Sequence, residues 1–409
     1  MSDAPLGRVS ISPFGMHRRA TNVLLRRRPR RNEPVTRECF DIRDDELGVS
    51  ALAAGTIRCR TLLLSVDPFM RCRFNEQTGV DYTKPYAVGA PISSAGIGEV
   101  LETGPGADGF HAGDLVLQPF DAWPWCSEPV LAASAVSRIP PSLGLLAPPS
   151  ALLNAVGQPG LTAYCGVEYV AKPSRSETVV VSGAAGAVGS LACQLFARRG
   201  CRVIGLCGSD AKADWLVANR IVHRAINYKQ PALRRALAMD PGSLYWDNSG
   251  GEVSDAVIST LRPNSRIVLC GQISMYDSDE AYPPPLPPAS AAIVSSLGIS
   301  RQRYLLLDHA KQFPAALAHL CELQAGGDLI AHETRWGSGS GLGSAPEAFM
   351  RIMRGENTGK GLVEVAPLPL AARARDAVRR LLPAAAKRAL SRRLATSEQF
   401  EAAAAAGGR

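Results

Sequence analysis

The stretch TVVVSGAAGAVGSLACQLFARRG, residues 178–200, constrains the fold more than any other part of the chain. Thr178, Val179, Val180 and Val181 form a run of buried-strand type. Ser182 and Gly183 turn the chain, and Val188, Leu191, Leu195 and Phe196 follow at helical spacing. Strand, glycine turn and helix in that order predict a helix N-terminus whose free backbone N–H groups can face a phosphate. The glycines stand at Gly183, Gly186 and Gly189, a G-x-x-G-x-x-G spacing in place of the usual G-x-G opening. Small side chains at Ala184 and Ala185 are expected to let a pyrophosphate approach the backbone. A second apolar run, CRVIGLC at 201–207, completes the βαβ unit that a dinucleotide site requires.

With 409 residues the chain is long enough for two domains, each with its own core. At 46% hydrophobic and 20% charged it reads as globular, and no apolar run has the length of a membrane span. The net charge of +8 sits at the ends: residues 1–35 and 367–409 carry +6 each, leaving −4 for the body. That body gives no reason to expect a nucleic-acid partner, while the basic ends allow weak contact with a membrane surface. The Ala/Arg/Leu-rich stretch 367–409, interrupted by Pro383, reads either as a basic amphipathic helix or as a solvated, partly helical tail. Residues 1–20 have no hydrophobic period and read as a disordered arm; their arginines also allow an organelle-targeting reading. Ten cysteines without a C-x-x-C pair, and six scattered histidines, argue for reduced thiols in a cytoplasmic compartment and against structural zinc.

In chain order, NVLLRRRP, CFDIRDDE and TIRCRTLLLSVDP begin a series of short strands that predicts a β-rich, barrel-like domain. A proline-containing linker at 140–149 leads into strand–helix alternation. There, strands are expected at 225–228, 244–247, 266–270 and 303–307. Ligands of open parallel sheets sit beyond the carboxyl ends of the strands, which draws attention to Tyr228, Asn248, Gly271 and Gln272. YPPPLPP at 282–288 reads as a rigid loop.

Six motifs in order now carry a resemblance: SVDPFMRCRFNEQTGVDY (65–82), VVVSGAAGAVGS (179–190), AINY (225–228), DNSGG (247–251), LCGQIS (269–274) and YPPPLPP (282–288). Together they resemble the medium-chain dehydrogenase/reductase superfamily. Within it they are most similar to the zinc-independent prostaglandin reductases of the 15-oxoprostaglandin 13-reductase type, over roughly residues 22–366. Where the zinc-dependent branch carries a G-H-E ligand motif, this chain reads VGAPISSAGIG, without His or Cys. The resemblance implies an α/β fold: a GroES-like β-rich catalytic domain at 22–150, a Rossmann doubly wound parallel-sheet cofactor domain at 151–308, and a return to the catalytic domain at 309–366. The arm 1–21 and the tail 367–409 lie outside it.

The resemblance also implies NADPH as cofactor and no metal. Gly186, Ala187, Val188 and Gly189 match the pyrophosphate contacts. Lys212, Tyr228, Asn248, Cys270, Gly271, Gln272, Ile273, Ser274, Met275, Tyr276, Tyr304, Leu305, Leu306 and Asn357 match further cofactor contacts. Independently of it, Cys207-Gly208-Ser209 occupies the place where an NAD site carries a carboxylate, although Asp210 follows closely. Lys212 then reads either as the partner of a ribose 2′-phosphate or as a solvated lysine at a helix start. Tyr276 and Tyr82 match catalytic positions, as phenols able to serve a forming enolate; packing beside the nicotinamide accounts for Tyr304. One departure bears on substrate. Phe120-Asp121-Ala122 precedes Trp123-Pro124-Trp125 with one extra residue, replacing an aromatic of the acyl-chain pocket by an acid. The implied activity is NADPH-dependent reduction of the carbon–carbon double bond of α,β-unsaturated ketones or aldehydes, by hydride addition to the β-carbon and protonation of the enolate. The alternatives are a quinone reductase of the same superfamily and a non-catalytic NADPH-binding scaffold. Both a monomer and a homodimer are compatible with the sequence.

Overall fold

The computed structural model describes residues 18–30, 32–48, 51–80, 82–277 and 283–395. The arm 1–17, Tyr282 of the proline-rich loop and the end of the tail, 396–409, lie outside the described residues.

Among the described residues, fifteen strands form three sheets. In the N-terminal region β1 (Arg19–Leu25) and β2 (Phe40–Glu46) make an antiparallel pair. The strands β3 (Thr56–Val66), β4 (Ser93–Thr103), β5 (Leu115–Pro124), β6 (Val130–Ala132) and β7 (Ser137–Arg138) belong to a larger sheet. The six parallel strands of the second region are β8 (Thr178–Val181), β9 (Arg202–Cys207), β10 (Arg224–Asn227), β11 (Leu244–Asp247), β12 (Arg266–Leu269) and β13 (Ser300–Arg303). Finally β14 (Glu333–Trp336) and β15 (Lys360–Glu364) return to the first sheet, giving the order β14-β15-β3-β4-β5-β7 with β6 paired to β3. The parallel sheet has the order β10-β9-β8-β11-β12-β13. This is the doubly wound arrangement, with its switch point between β8 and β11.

The helices that matter here are α1 (Gln158–Cys165), α2 (Ala187–Arg198), α3 (Asp210–Ala218), α4 (Leu233–Ala238), α5 (Gly251–Ile258), α6 (Pro288–Ser296), α7 (Phe313–Gly326), α8 (Ala345–Met353), α9 (Leu370–Leu381) and α10 (Ala384–Ala395). The parallel strands are buried on both faces, which is why they read as continuous apolar runs. Val179, Val181, Val203 and Trp246 pack toward α2, while Val180, Ile204, Tyr245 and Ile267 pack on the other face with Val257 and Ile258 of α5. Leu62, Leu63, Ala95, Ile97, Leu115 and Leu117 of the first sheet belong to the same apolar cluster as α2. The two regions therefore share a core, and a second cluster around Trp123, Trp125 and Phe349 lies within the first region alone. Gly96 and Gly98 of β4 make room for Trp123: a Cβ on either would meet its ring at 2.4 Å.

Four expectations are corrected. β1 begins at Arg19, so Arg19, Ala20 and Thr21 are strand residues rather than arm, held by pairing with Glu46, Asp45 and Asp44. The last parallel strand is Ser300–Arg303, not 303–307; Tyr304 bonds its N–H to Leu269 O and the chain then winds into a 3-10 segment, Leu306–Gln312. The segment after 308 first forms α7 against α1, and the chain rejoins the first sheet only from β14 onward, with β14 and β15. Residues 370–395 are not a solvated tail. α10 packs on α7, Ala372 and Ser391 are buried, and Arg388 and Arg392 pair with Asp328 and Glu322 at 2.6 and 2.7 Å. Among the described residues no helix is long and apolar enough to cross a membrane.

Candidate active site

The carboxyl ends of β8, β9, β11 and β12 converge at the switch point. After Val181 the chain turns at Gly183, with φ +60° and its N–H groups committed to a tight loop in which Gly186 N–H donates to Gly183 O at 2.9 Å. Gly186 is the N-cap of α2, and no acidic residue stands in the first turn. The N–H groups of that turn have no intrahelical acceptors, so they suit an anion. A Cβ on Gly189 would lie 2.1 Å from Gly183 O, so glycine there lets the helix sit directly on the turn. A Cβ on Gly186 would have only Gly183 O within 4 Å, so this face is open to a ligand. Ala187 and Val188 are half-buried beside it. Ala184 and Ala185 do not line this face, as the sequence suggested. Both are buried, Ala184 packing so close to β9 that a Cβ on Gly205 would meet it at 2.9 Å.

The turn is also tied to the first region. Gly359 N–H donates to Ala185 O at 2.7 Å, and Asn357 Nδ2 donates to Gly359 O at 2.7 Å, which brings Asn357 to the start of α2. At the end of β9, Ser209 caps α3 by accepting from Lys212 N–H, and Lys212 Nζ donates to Gly355 O at 2.6 Å. Burial lowers the Lys212 pKa; Cys207 opposes that shift and Lys229 adds to it. A Cβ on Gly208 would meet Tyr228 Oη at 2.7 Å and Lys229 Cε at 3.6 Å, so a phenol and two lysines surround this turn. Asp210, which weakened the case for a phosphate-bearing ribose, accepts from Asn227 and Gln230 instead.

At the end of β11, Asp247 is a buried carboxylate that sequence reading missed. It accepts from Tyr245 Oη at 2.8 Å, Ser254 Oγ at 2.5 Å, Ser182 Oγ at 3.2 Å, and the N–H groups of Ser249 and Gly250 at 3.0 and 2.9 Å. These donors offset its desolvation and lock the DNSGG turn. Asn248 is fixed by donating Nδ2 to Ser182 O at 2.7 Å and accepting from Trp246 Nε1 at 3.2 Å. Its carbonyl accepts from Ile273 N–H, and Ser249 O accepts from Ser274 N–H, so the chain leaving β12 runs into a turn bound to the β11 end. Gln272 is buried, and its Oε1 has no hydrogen-bond partner among the described residues, as a ligand contact at this edge would require. Met275 and Tyr276 follow, half-buried. A Cβ on Gly271 would meet Tyr276 Oη at 3.1 Å, so the phenol lies over the end of β12.

Tyr304 follows β13 directly, its N–H bonded to Leu269 O at the end of β12, so it and Leu306 lie behind this edge as buried residues. Tyr304 is 6% exposed, packs on Trp246 and donates Oη to Thr162 O at 2.9 Å; Leu306 is buried and Leu305 half-buried. Burial raises the Tyr304 pKa far above the ordinary phenol range.

On the first region, Tyr82 is half-buried and Thr83, next to it, donates Oγ1 to Asp121 Oδ2 at 2.7 Å. Asp121 and Phe120 lie in a bulge of β5, where Gln118 pairs with Gly96 but Trp123 already pairs with Ser94. Gln118 Oε1 accepts from the N–H groups of Phe120 and Ala122, which stabilises the bulge. Asp121 is therefore not a free pocket acid: Arg73 pairs with it at 3.3 Å. Phe120 packs on the shared core. Sequence reading also missed Lys360, a buried ammonium paired with Asp67 beside the SVDP motif. Among the described residues no group of three or more His, Cys, Asp or Glu is placed to hold a metal ion.

Known proteins share this arrangement. The family described as the N-terminal domain of oxidoreductase matches residues 21–138, and the one described as zinc-binding dehydrogenase matches residues 187–312. YfmJ of Bacillus subtilis, an NADP-dependent oxidoreductase by its name, is 36% identical over 80% of this chain and 93% of its own. The NADP(+)-dependent 2-alkenal reductase of Nicotiana tabacum is 32% identical over 75% and 86%, and prostaglandin reductase 1 of Bos taurus 31% over 80% and 94%. The structure of CurA from Vibrio vulnificus in complex with NADPH superimposes with a TM-score of 0.73 at 27% identity, over 85% of this chain and 99% of that one. The chain belongs to the medium-chain dehydrogenase/reductase superfamily of oxidoreductases.

Proposed function

We propose that the protein is an NADPH-dependent reductase of the carbon–carbon double bond of α,β-unsaturated ketones and aldehydes. The observation that supports this reading most is the phenol of Tyr276 over the end of β12, on the same sheet edge as the open glycine turn at Gly186. The glycine turn and the first N–H groups of α2 would hold the pyrophosphate, with Asn357 beside them. Lys212, held by its bond to Gly355 O, surrounds the turn at Gly208 with Tyr228 and Lys229, and the two cations would hold a 2′-phosphate there. Asn248 and the turn from Cys270 to Tyr276 border the nicotinamide. NADPH, when bound, supplies the hydride. Tyr276 then donates its O–H toward the substrate carbonyl oxygen, where negative charge develops, and Tyr82 supports it from the first region. The names of the tobacco and bovine relatives, a 2-alkenal reductase and a prostaglandin reductase, support the enone and enal class.

The test is NADPH oxidation against a panel of enones, enals and quinones, with product identification. Saturated ketones and aldehydes are expected. Turnover of quinones alone would replace this reading by a quinone reductase, and NADPH binding without turnover of any electrophile would leave a cofactor-binding scaffold.

A further inference from the structure

We propose that the 3-10 segment Pro68–Phe74 is a positioning platform that sets both tyrosine loops through two buried arginines. Arg71 holds the Tyr276 loop of the other region, and Arg73 holds the Tyr82 loop. The proposal rests on the enone-reductase reading for the roles of the two tyrosines, but not for the platform itself.

Arg71 is 1% exposed and Arg73 9%. A buried guanidinium is tolerated only when its N–H groups and its charge are matched. Arg71 spends two nitrogens within its own region, Nη1 donating to Asn75 Oδ1 at 2.7 Å and Nη2 to Glu33 O at 2.8 Å. The third, Nε, donates to Asp277 Oδ1 at 2.5 Å. Asp277 belongs to the other region and immediately follows Tyr276. The charge of Arg71 is thus neutralised by the neighbour of the proposed proton donor, and the pair joins the two regions.

Arg73 repeats the pattern within the first region. Nε donates to Lys84 O at 2.9 Å, and Nη1 reaches Asp121 through its backbone O at 3.0 Å and its carboxylate at 3.3 Å. That carboxylate accepts from Thr83, which immediately follows Tyr82. The Arg73 guanidinium also lies over the Tyr86 ring at 4.0 Å. Each tyrosine is therefore followed by a residue tied, directly or through Asp121, to the same short segment.

The platform is itself braced at both ends. Arg28 donates to Phe74 O and Asn75 O at 3.0 and 2.8 Å, satisfying the last carbonyls. Asp67, just ahead of Pro68, is held by the buried Lys360 and by Ser65. Charge-assisted bonds to planar guanidinium groups fix direction as well as distance, which suits a device that must aim hydroxyl groups from two domains at one substrate.

The experiment compares the full-length unmodified protein with Asp277→Asn, Asp277→Glu and Asp121→Asn. The readouts are enone kinetics, NADPH affinity, thermal melting and hydrogen–deuterium exchange of peptides covering 270–277 and 82–86. For Asp277→Asn, kcat is expected to fall roughly ten- to hundredfold, as for a misplaced group. NADPH Kd should stay within about twofold, because a positioning defect leaves ground-state binding intact. Exchange should rise at 270–277 only, and Asp277→Glu should recover most of kcat. Asp121→Asn should raise exchange at 82–86 and lower kcat less. Unchanged kcat and exchange in Asp277→Asn would overturn the platform. So would a fall in kcat matched by equal losses in NADPH affinity and melting temperature that Asp277→Glu does not reverse. If the unmodified protein reduces no enone, the functional reading fails, and the exchange data alone decide the platform: faster exchange supports it and unchanged exchange overturns it.

Discussion

Asp247 illustrates what a single residue does here. Its carboxylate takes hydrogen bonds from the β8 turn, from β11 and from α5, so the switch point is rigid before any ligand arrives. Asp247→Asn replaces an acceptor by an amide donor facing several hydroxyl and N–H donors. It should destabilise the fold on the order of 3 kcal/mol, readable by denaturant unfolding. Tyr276→Phe keeps the ring and loses the donor. Turnover should fall by about 2.7–4 kcal/mol in barrier terms, with NADPH affinity nearly unchanged, in single-turnover kinetics. For Lys212 the sign of the pH effect follows from its depressed pKa. A 2′-phosphate needs the ammonium form, so NADPH affinity is full below that pKa and is lost as pH rises through it, starting below the ordinary lysine range. On the acid side affinity falls as the phosphate protonates, near about pH 6. Lys212→Ala should flatten the alkaline limb and narrow the preference for NADPH over NADH by about 1.5–3 kcal/mol, measured as Kd against pH.

Elements were legible where one local rule decided them. The glycine turn, α2 and β9 follow from strand, turn and helical spacing within thirty residues of sequence, and the structure has all three where the pattern set them. The β5 bulge was visible only as an extra residue before Trp123, because which side chain fills the gap depends on Arg73 and Thr83, both far from the bulge in sequence. Buried arginines such as Arg71 are invisible to composition, since an arginine reads as surface until its partners are known. The basic C-terminal stretch misled for a related reason. Its charge suggested solvent, yet Glu322 on α7 and Asp328 just beyond its end pair with its arginines, and Ala372 and Leu390 pack on the core. Exposed pairs of this kind contribute little each, so most of its value is apolar contact. Truncation after residue 369 should lower Tm by several degrees, at about 2–4 °C per kcal/mol, while NADPH affinity and kcat of the folded fraction stay the same. Loss of turnover in a folded, NADPH-binding truncate would show that α9 and α10 serve the reaction.

Across the whole molecule, one apolar cluster runs from the first sheet to α2 and α7, so the two regions form a single packed body with the site at their junction. The expectation of two separate cores came from length alone, which says nothing about how much surface two domains bury against each other. The same junction explains why Asn357, Lys212 and the glycine turn meet although they lie far apart in the chain. On the proposed reading, in which phenols and backbone donors serve the substrate, activity should persist after exhaustive chelation. Restoration of a chelated, inactive protein by zinc would contradict that. The most direct measurement of the central claim uses NADPH deuterated at the transferable position of C4, with an α,β-unsaturated ketone as substrate and NMR of the product. The account predicts a saturated ketone carrying deuterium on the former β-carbon and a solvent proton on the α-carbon. Deuterium on the carbonyl carbon of an allylic alcohol, or an unconsumed enone with NADPH bound, would contradict it.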